Sequence, residues 1–187
     1  MKCNNAKRYF KRHSIYQKRA STINGTFAEA IVPVEKFDDE RMLEAMEFLG
    51  QKDHHDHLLC AYCTKEATTW DHLVPKVEGG KPNGPGHQVG NLVPACKDCN
   101  SRKRNKDWQE FLHSESQVDG RDRTELIALL TSYRERFLRY EPFLIDETDS
   151  KWQAFRAIQN QILELMKEAD KISDELHAVH KPMDYTR

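Results

Sequence analysis

Apolar and polar positions along the chain alternate between a helical and an extended rhythm. Residues 4–20 place Ala6, Tyr9, His13, Tyr16 and Ala20 at steps of three and four, with Lys and Arg on the other faces, which predicts a helix. Asn24-Gly25 predicts a turn, and Pro33 ends any helix across FAEAIV. Asp38-Asp39 opens a second helix with Met42, Leu43, Met46 and Leu49 on one face and Gly50 as its stop. The period then shortens. ATTWDHLV (67–74) is rich in strand formers and is closed by Pro75, and NLVPA (91–95) reads as a second short strand. Between them, 76–90 carries Gly79-Gly80, Pro82, Asn83-Gly84, Pro85 and Gly86, which is loop chemistry throughout. From Lys97 onward, KDCNSRKRNKDWQEFLHS lacks Gly and Pro and sets Trp108, Phe111 and Leu112 on one side, the pattern of one continuous helix.

The C-terminal part is helical again. Leu126, Leu130, Tyr133, Phe137 and Tyr140 recur at four and three within 121–140, and Pro142 breaks the run. A longer stretch, 149–180, repeats Ile158, Ile162, Leu165, Ala169, Ile172, Leu176 and Val179 at strict four and three. The two helices are expected to form an antiparallel hairpin, and the excess length of the second predicts a homodimer through 149–180. The resulting fold class is α+β and mostly helical, with helices before and after a small β-containing module. Three parts are expected: 1–57, a basic helical region; 58–115, the module; and 116–187, the hairpin.

Composition narrows the function. A chain of 187 residues with 32% charged residues and a mean hydropathy of −0.82 has modest cores. No run of about 18 apolar residues occurs, and the basic start lacks an apolar follow-on, so neither a membrane span nor a secretory signal is expected and the cytoplasm is the expected compartment. Net charge is only −1, yet its distribution is uneven. Residues 1–20 carry seven Lys or Arg and no acid, residues 101–106 carry four and no acid, and 110–187 carry sixteen acids against eleven bases. Basic charge at the start (Lys7, Arg8, Lys11, Arg12) and beside the module (Arg102, Lys103, Arg104, Lys106) suits phosphate binding, although solvated helix faces give the same pattern.

Five cysteines are present, four of them in metal spacing: Cys60/Cys63 and Cys96/Cys99 form two Cys-x2-Cys knuckles with 32 residues between them. Two such pairs supply the four thiolates of a tetrahedral structural Zn2+ and tie together the ends of the enclosed segment. Cys3 is left over as a free thiol, and His54, His55 and His57 read as a polar linker rather than a second metal site.

Within this frame the segment 58–112 resembles the HNH endonucleases of the ββα-metal fold, in the subgroup with zinc-binding Cys-x2-Cys pairs. The resemblance is carried by Asp71-His72-x-x-Pro75, Gly79-Gly80, Asn91-Leu92 and Cys96-x-x-Cys99-Asn100-x-x-Lys103, in order and at workable spacings. Asn100 stands where the family name has its last His, an HNN form; an amide oxygen suits a hard ion such as Mg2+.

The resemblance implies a metal-dependent endonuclease that hydrolyses DNA, duplex above all, to 5′-phosphate and 3′-hydroxyl ends. In it His72 is the general base, Asp71 and Asn100 hold a catalytic Mg2+ or Mn2+, and Asn91 bonds across the loop to orient the histidine's backbone. Arg102, Lys103 and Arg104 would hold flanking phosphates. The chemistry agrees: hydrolysis needs an activated water and neutralised charge, and a His with an ordinary pKa of about 6.5 is a natural base near neutrality. Taken singly, Asp71, His72, Asn91 and Asn100 are ordinary turn, surface or cap residues. The alternative is a zinc-stabilised nucleic-acid-binding module without catalysis.

Overall fold

The structure, a computed structural model, describes residues 11–51, 57–114, 121–140 and 144–179. Lys7 and Arg8, the first part of the helix expected over 4–20, Cys3, and His54 and His55 lie outside the described residues. The chain groups into two units, Met1–Phe27 with Asp146–Arg187, and Ala28–Ile145, so the expected boundaries at 57/58 and 115/116 both fall inside the second.

The helices are α1 (Ile15–Glu29), α2 (Asp39–Phe48), α3 (Lys97–Lys103), α4 (Trp108–Ser114), α5 (Arg123–Phe137) and α6 (Ser150–Ala178). The strands are β1 (Thr69–His72), β2 (Val77–Glu78), β3 (Lys81–Pro82) and β4 (Leu92–Ala95). None of the described helices is long and apolar enough to cross a membrane.

In the first unit α1 and α6 run antiparallel. Ser14 caps α1 by accepting from Gln17 N at 3.0 Å, and the Asp170 carboxylate of α6 accepts from Ile15 N at 2.7 Å and Tyr16 N at 3.1 Å, satisfying donors that a helix start leaves open. Further along, Gln159 Nε2 donates to Asn24 Oδ1 at 2.8 Å, and the Phe27 and Phe155 rings lie 5.0 Å apart. The turn expected at Asn24-Gly25 is therefore absent, and α1 runs through it. A mid-helix Gly costs about 1 kcal/mol; the buried Gln159 amide and the aromatic contact offset it.

The two C-terminal helices, expected to pair as an antiparallel hairpin, fall in different units, α5 in the second and α6 in the first. The 4–3 pattern of α5 is instead the core face of the second unit, where Leu126, Leu130, Tyr133 and Phe137 are all buried. On α6, Ile158, Leu165, Ile172, Leu176 and Val179 are exposed, while the residues that meet α1 lie on another face of the helix.

In the second unit β1 and β4 pair antiparallel, Thr69 with Ala95 through His72 with Leu92, and α3 packs on β1. This is a ββα arrangement. α2, α4 and α5 cover it with a core of Met46, Leu49, Trp108, Phe111, Leu130 and Phe137. Tyr133 fixes α5 to the sheet by donating its hydroxyl to Val89 O at 2.6 Å and Leu92 O at 2.8 Å. The intervening segment is not all loop: β2 and β3 form a minimal hairpin turned by Gly79 and Gly80, both at positive φ, which a primed turn requires.

The single helix expected from Lys97 is two. Arg104 has φ +52 and ends α3, and Asp107 starts α4 by accepting from Gln109 N at 2.8 Å. Trp108 N donates to Leu73 O at 3.0 Å, so the break directs α4 against the end of β1 and brings Trp108, Phe111 and Leu112 into the core.

Candidate active site and zinc centre

The two knuckles converge. Cys60, Cys63, Cys96 and Cys99 are buried, and their sulfurs lie within 4.8 Å of one another. A tetrahedral Zn2+ with bonds of about 2.3 Å sets its sulfurs about 3.8 Å apart; Cys63 and Cys96 are 3.7 Å apart. Thr64, at φ +61, turns the first knuckle, and in the second Cys99 N donates to Cys96 Sγ at 3.4 Å. Arg102 Nη2 approaches Cys99 Sγ at 3.6 Å, a cation beside a site that would carry net negative charge once metallated. Burial pushes the Cys60 and Cys99 thiols up, whereas at Cys96 burial is outweighed by hydrogen bonds from Cys99 and its other cysteine neighbours, which lower it; a dication favours the thiolate form of all its ligands and releases protons. The four residues fit a structural zinc.

The cysteine cluster lies at one end of β1, and the candidate active site forms at the other. β1 stops at His72, ahead of Pro75, so Asp71 and His72 both reach the cleft where the strand ends. Backbone hydrogen bonds lock this corner. Lys103 Nζ donates to His72 O at 2.6 Å, Leu73 N to Asn91 O at 2.9 Å, Trp108 N to Leu73 O at 3.0 Å, Val74 N to Asn91 Oδ1 at 2.8 Å, and Asn91 Nδ2 to Val74 O at 3.0 Å. The same Asn91 amide donates to Gly86 O at 2.9 Å, spanning the loop, and the residue is fully buried.

Asn91→Ala would leave buried donors and acceptors unpaired at Val74 and Gly86. At about 1–3 kcal/mol for each orphaned group, less than additively, the expected loss of stability is about 3–5 kcal/mol in a denaturant melt. A change below about 1 kcal/mol would contradict the clamp.

The cleft has a volume of about 130 Å³ and is lined by Glu29, Asp71, His72, Pro75, Lys76, Val77, Arg104 and Asn105. His72 Nε2 faces His87 Nδ1 at 3.2 Å, His87 Nε2 faces Lys76 Nζ at 3.3 Å, and Lys76 pairs with Glu29 at 3.0 Å. Burial, with help from Lys76, His87 and Lys103, pushes the His72 imidazole down to about 3, so the ring is neutral at physiological pH but a weaker base than the ordinary imidazole expected from the sequence. Burial and Lys76 also lower His87, against an opposing pull from Glu29.

His87, Lys76 and Glu29 were not singled out in the sequence. His87 reaches His72 because its backbone is stitched to another segment: His87 N donates to Pro33 O, Glu35 N donates to His87 O, each at 2.8 Å, and a Cβ on Gly86 would collide with Pro33. No spacing rule announces that contact.

Asp71 is almost completely buried. Tyr62 donates its hydroxyl to Asp71 Oδ2 at 2.7 Å, and the Lys103 ammonium lies 3.3 Å from the same oxygen. Burial raises the Asp71 carboxyl above its ordinary value, against the pull of Lys103 and Tyr62. Lys103 is fully buried and turned inward, so it is no surface clamp for phosphate, as its basic neighbours made it seem in the sequence. Arg104 is exposed at the cleft, Arg102 pairs with Asp98 at 3.6 Å, and Lys106 Nζ donates to Ser114 at 3.1 Å. Lys11 and Arg12 sit in the first unit, Arg12 paired with Asp174 at 2.6 Å. Asn100 lies beside the earlier residues of β1, with Nδ2 within 3.4 Å of Trp70 O, and lines a separate groove with Thr68, Thr69, Lys97 and Ser101. The structure thus brings Asp71 and His72 into one cleft and places Asn100 against the same strand one step toward the zinc.

A ββα unit tied by a cluster of four cysteines, with a His and an acid at the end of its first strand, fits a ββα-metal module. Residues 60–106 match the model of the HNH endonuclease family, and the chain carries an HNH endonuclease domain over that span. Comparison with curated proteins and with solved structures gives no match.

Proposed function

We propose that the cleft at the end of β1 is the centre of a metal-dependent DNA endonuclease. One observation carries the reading: in a segment matching the HNH family, a neutral imidazole stands at a cleft beside a carboxylate, on backbone that five hydrogen bonds hold still. His72 is the general base. The Lys76 ammonium donates to His87 Nε2, so His87 Nδ1–H donates to His72 Nε2, and that Nε2 lone pair is the one an attacking water would claim in place of His87. Lys76 and Arg104 are the cations of the cleft and attract the scissile and flanking phosphates. Asn91, Lys103 and Trp108 position the base through its backbone.

Asp71 and Asn100 offer a carboxylate and an amide oxygen, the donor types of Mg2+ or Mn2+; Asp71 lines the cleft and Asn100 the neighbouring groove on the same strand, so they would hold one ion together with the Asn100 amide turned from Trp70 O toward Asp71. When bound, such an ion would supply charge neutralisation for phosphodiester hydrolysis, the reaction that leaves 5′-phosphate and 3′-hydroxyl ends.

The engagement of Asp71 by Tyr62 and Lys103 favours a second reading, a zinc-stabilised nucleic-acid-binding module without catalysis. One assay separates the two. Zinc-loaded protein incubated with supercoiled plasmid is expected to nick or linearise it in Mg2+ or Mn2+, and to stop when EDTA removes the free divalent ion. Plasmid that is bound and retarded but uncut in both metals would establish the binding module instead.

A further inference from the structure

We propose that the outward face of β1 is a track for the substrate strand, in which the Trp70 indole stacks on a nucleobase close to the scissile phosphate. The inference rests on the nuclease reading of the cleft and adds the contact that seats the strand in it. Side chains alternate along a strand, so Thr68, Trp70 and His72 stand on one face, while Asp71 and Leu73 turn inward and are buried. Two residues of strand cover about 6.8 Å, about two base steps at about 3.4 Å each, which sets the ring within one or two nucleotides of the phosphate facing His72.

Trp70 is 42% exposed, although the other two tryptophans are more covered, and its ring has no aromatic or cationic partner among the described residues. Its backbone is nonetheless fixed, because it pairs with Pro94 of β4 and its carbonyl accepts from Asn100. Along the same strand runs an open groove of about 500 Å³ lined by Thr68, Thr69, Lys97, Asn100 and Ser101, which meets the Trp70 backbone through Asn100. Three hydroxyls, an amide and an ammonium, with no carboxylate among them, suit the phosphate and sugar oxygens of a nucleic-acid backbone. A flat π-face beside a row of such donors is how single-strand tracks are built, and it has little in common with an apolar protein-docking patch.

The test uses the full chain, zinc-loaded and carrying His72→Ala so that the substrate stays uncut. Binding to fluorescein-labelled single-stranded and duplex oligonucleotides is read by anisotropy in Mg2+. Adding Trp70→Ala is expected to weaken binding about 5- to 100-fold, while Trp70→Phe stays within about threefold of the parent. Trp70→Leu keeps apolar bulk without a π-face and is expected to behave like Ala. The Phe and Leu proteins carry the test alone if the Ala protein fails to retain zinc. Equal affinity for the Phe and Leu proteins overturns the stacking role.

The two readings fail separately. Wild type that binds through Trp70 but never cuts would remove the nuclease reading and leave the track. Cutting by wild type, with Trp70 variants that bind and cut unchanged, would remove the track alone. Absence of DNA binding by wild type and His72→Ala alike would overturn both.

Discussion

Cys96→Ser is expected to unfold the second unit. Structural zinc contributes about 10–16 kcal/mol of apparent binding free energy in small domains, which equals or exceeds the net stability of about 5–15 kcal/mol of a whole domain. Cys96 is placed to transmit that loss. It follows β4 directly, caps α3 through its sulfur, and joins both to the first knuckle, whose Ala61 N donates to Pro94 O at 2.8 Å. A serine oxygen is a harder and weaker zinc ligand, and it leaves three buried thiols without their cation. The expected outcome is zinc content falling from one per chain toward none, loss of the cooperative thermal transition, and the same result when a strong chelator strips the wild type. A Cys96→Ser protein that melts at the wild-type temperature would show that the cluster does not hold the fold.

Much of the second unit was legible in the sequence because its signals are local. Asp38 and Gly50 punctuate α2: the Asp38 side chain accepts from Arg41 N at 3.1 Å, and Gly50 sits at φ +73. The two knuckles announce the cluster by spacing alone, and the strand formers flanking the Gly/Pro segment mark β1 and β4. What was missed depends on contacts between distant residues. Asn24-Gly25 has turn chemistry, but a buried glutamine 135 positions away completes a helix there. The 4–3 stripes of α5 and α6 looked mutually complementary, yet a stripe states only that a face is apolar, and α5 spends its own on β4 and the zinc module's core. Lys103 lies in a basic run, and only the register of α3 on β1 turns its ammonium onto Asp71 and the His72 carbonyl. His87 entered the site through a bridge to Val34, which the intervening loop hides from any spacing rule.

The Asp71–Lys103 pair matters for how the cleft responds to substitution. A buried ion pair contributes little net stability, but removing one partner strands the other charge. Variants at Asp71 or Lys103 therefore disturb the fold and the chemistry together. His72 is partly buried and its ring bonds to a neutral partner, His87, so replacing it strands no opposite charge and it is the position where chemistry is most separable from folding.

The most direct measurement of the central claim is plasmid cleavage by His72→Ala and wild-type proteins matched for zinc content and thermal transition, in the same Mg2+ buffer. Loss of a general base removes about 10²- to 10⁴-fold in rate, so the variant is predicted to leave the plasmid supercoiled long after the wild type has converted it. Equal nicking by the two proteins would contradict the assignment of His72, and with it the account of the cleft at the end of β1 as the hydrolytic centre.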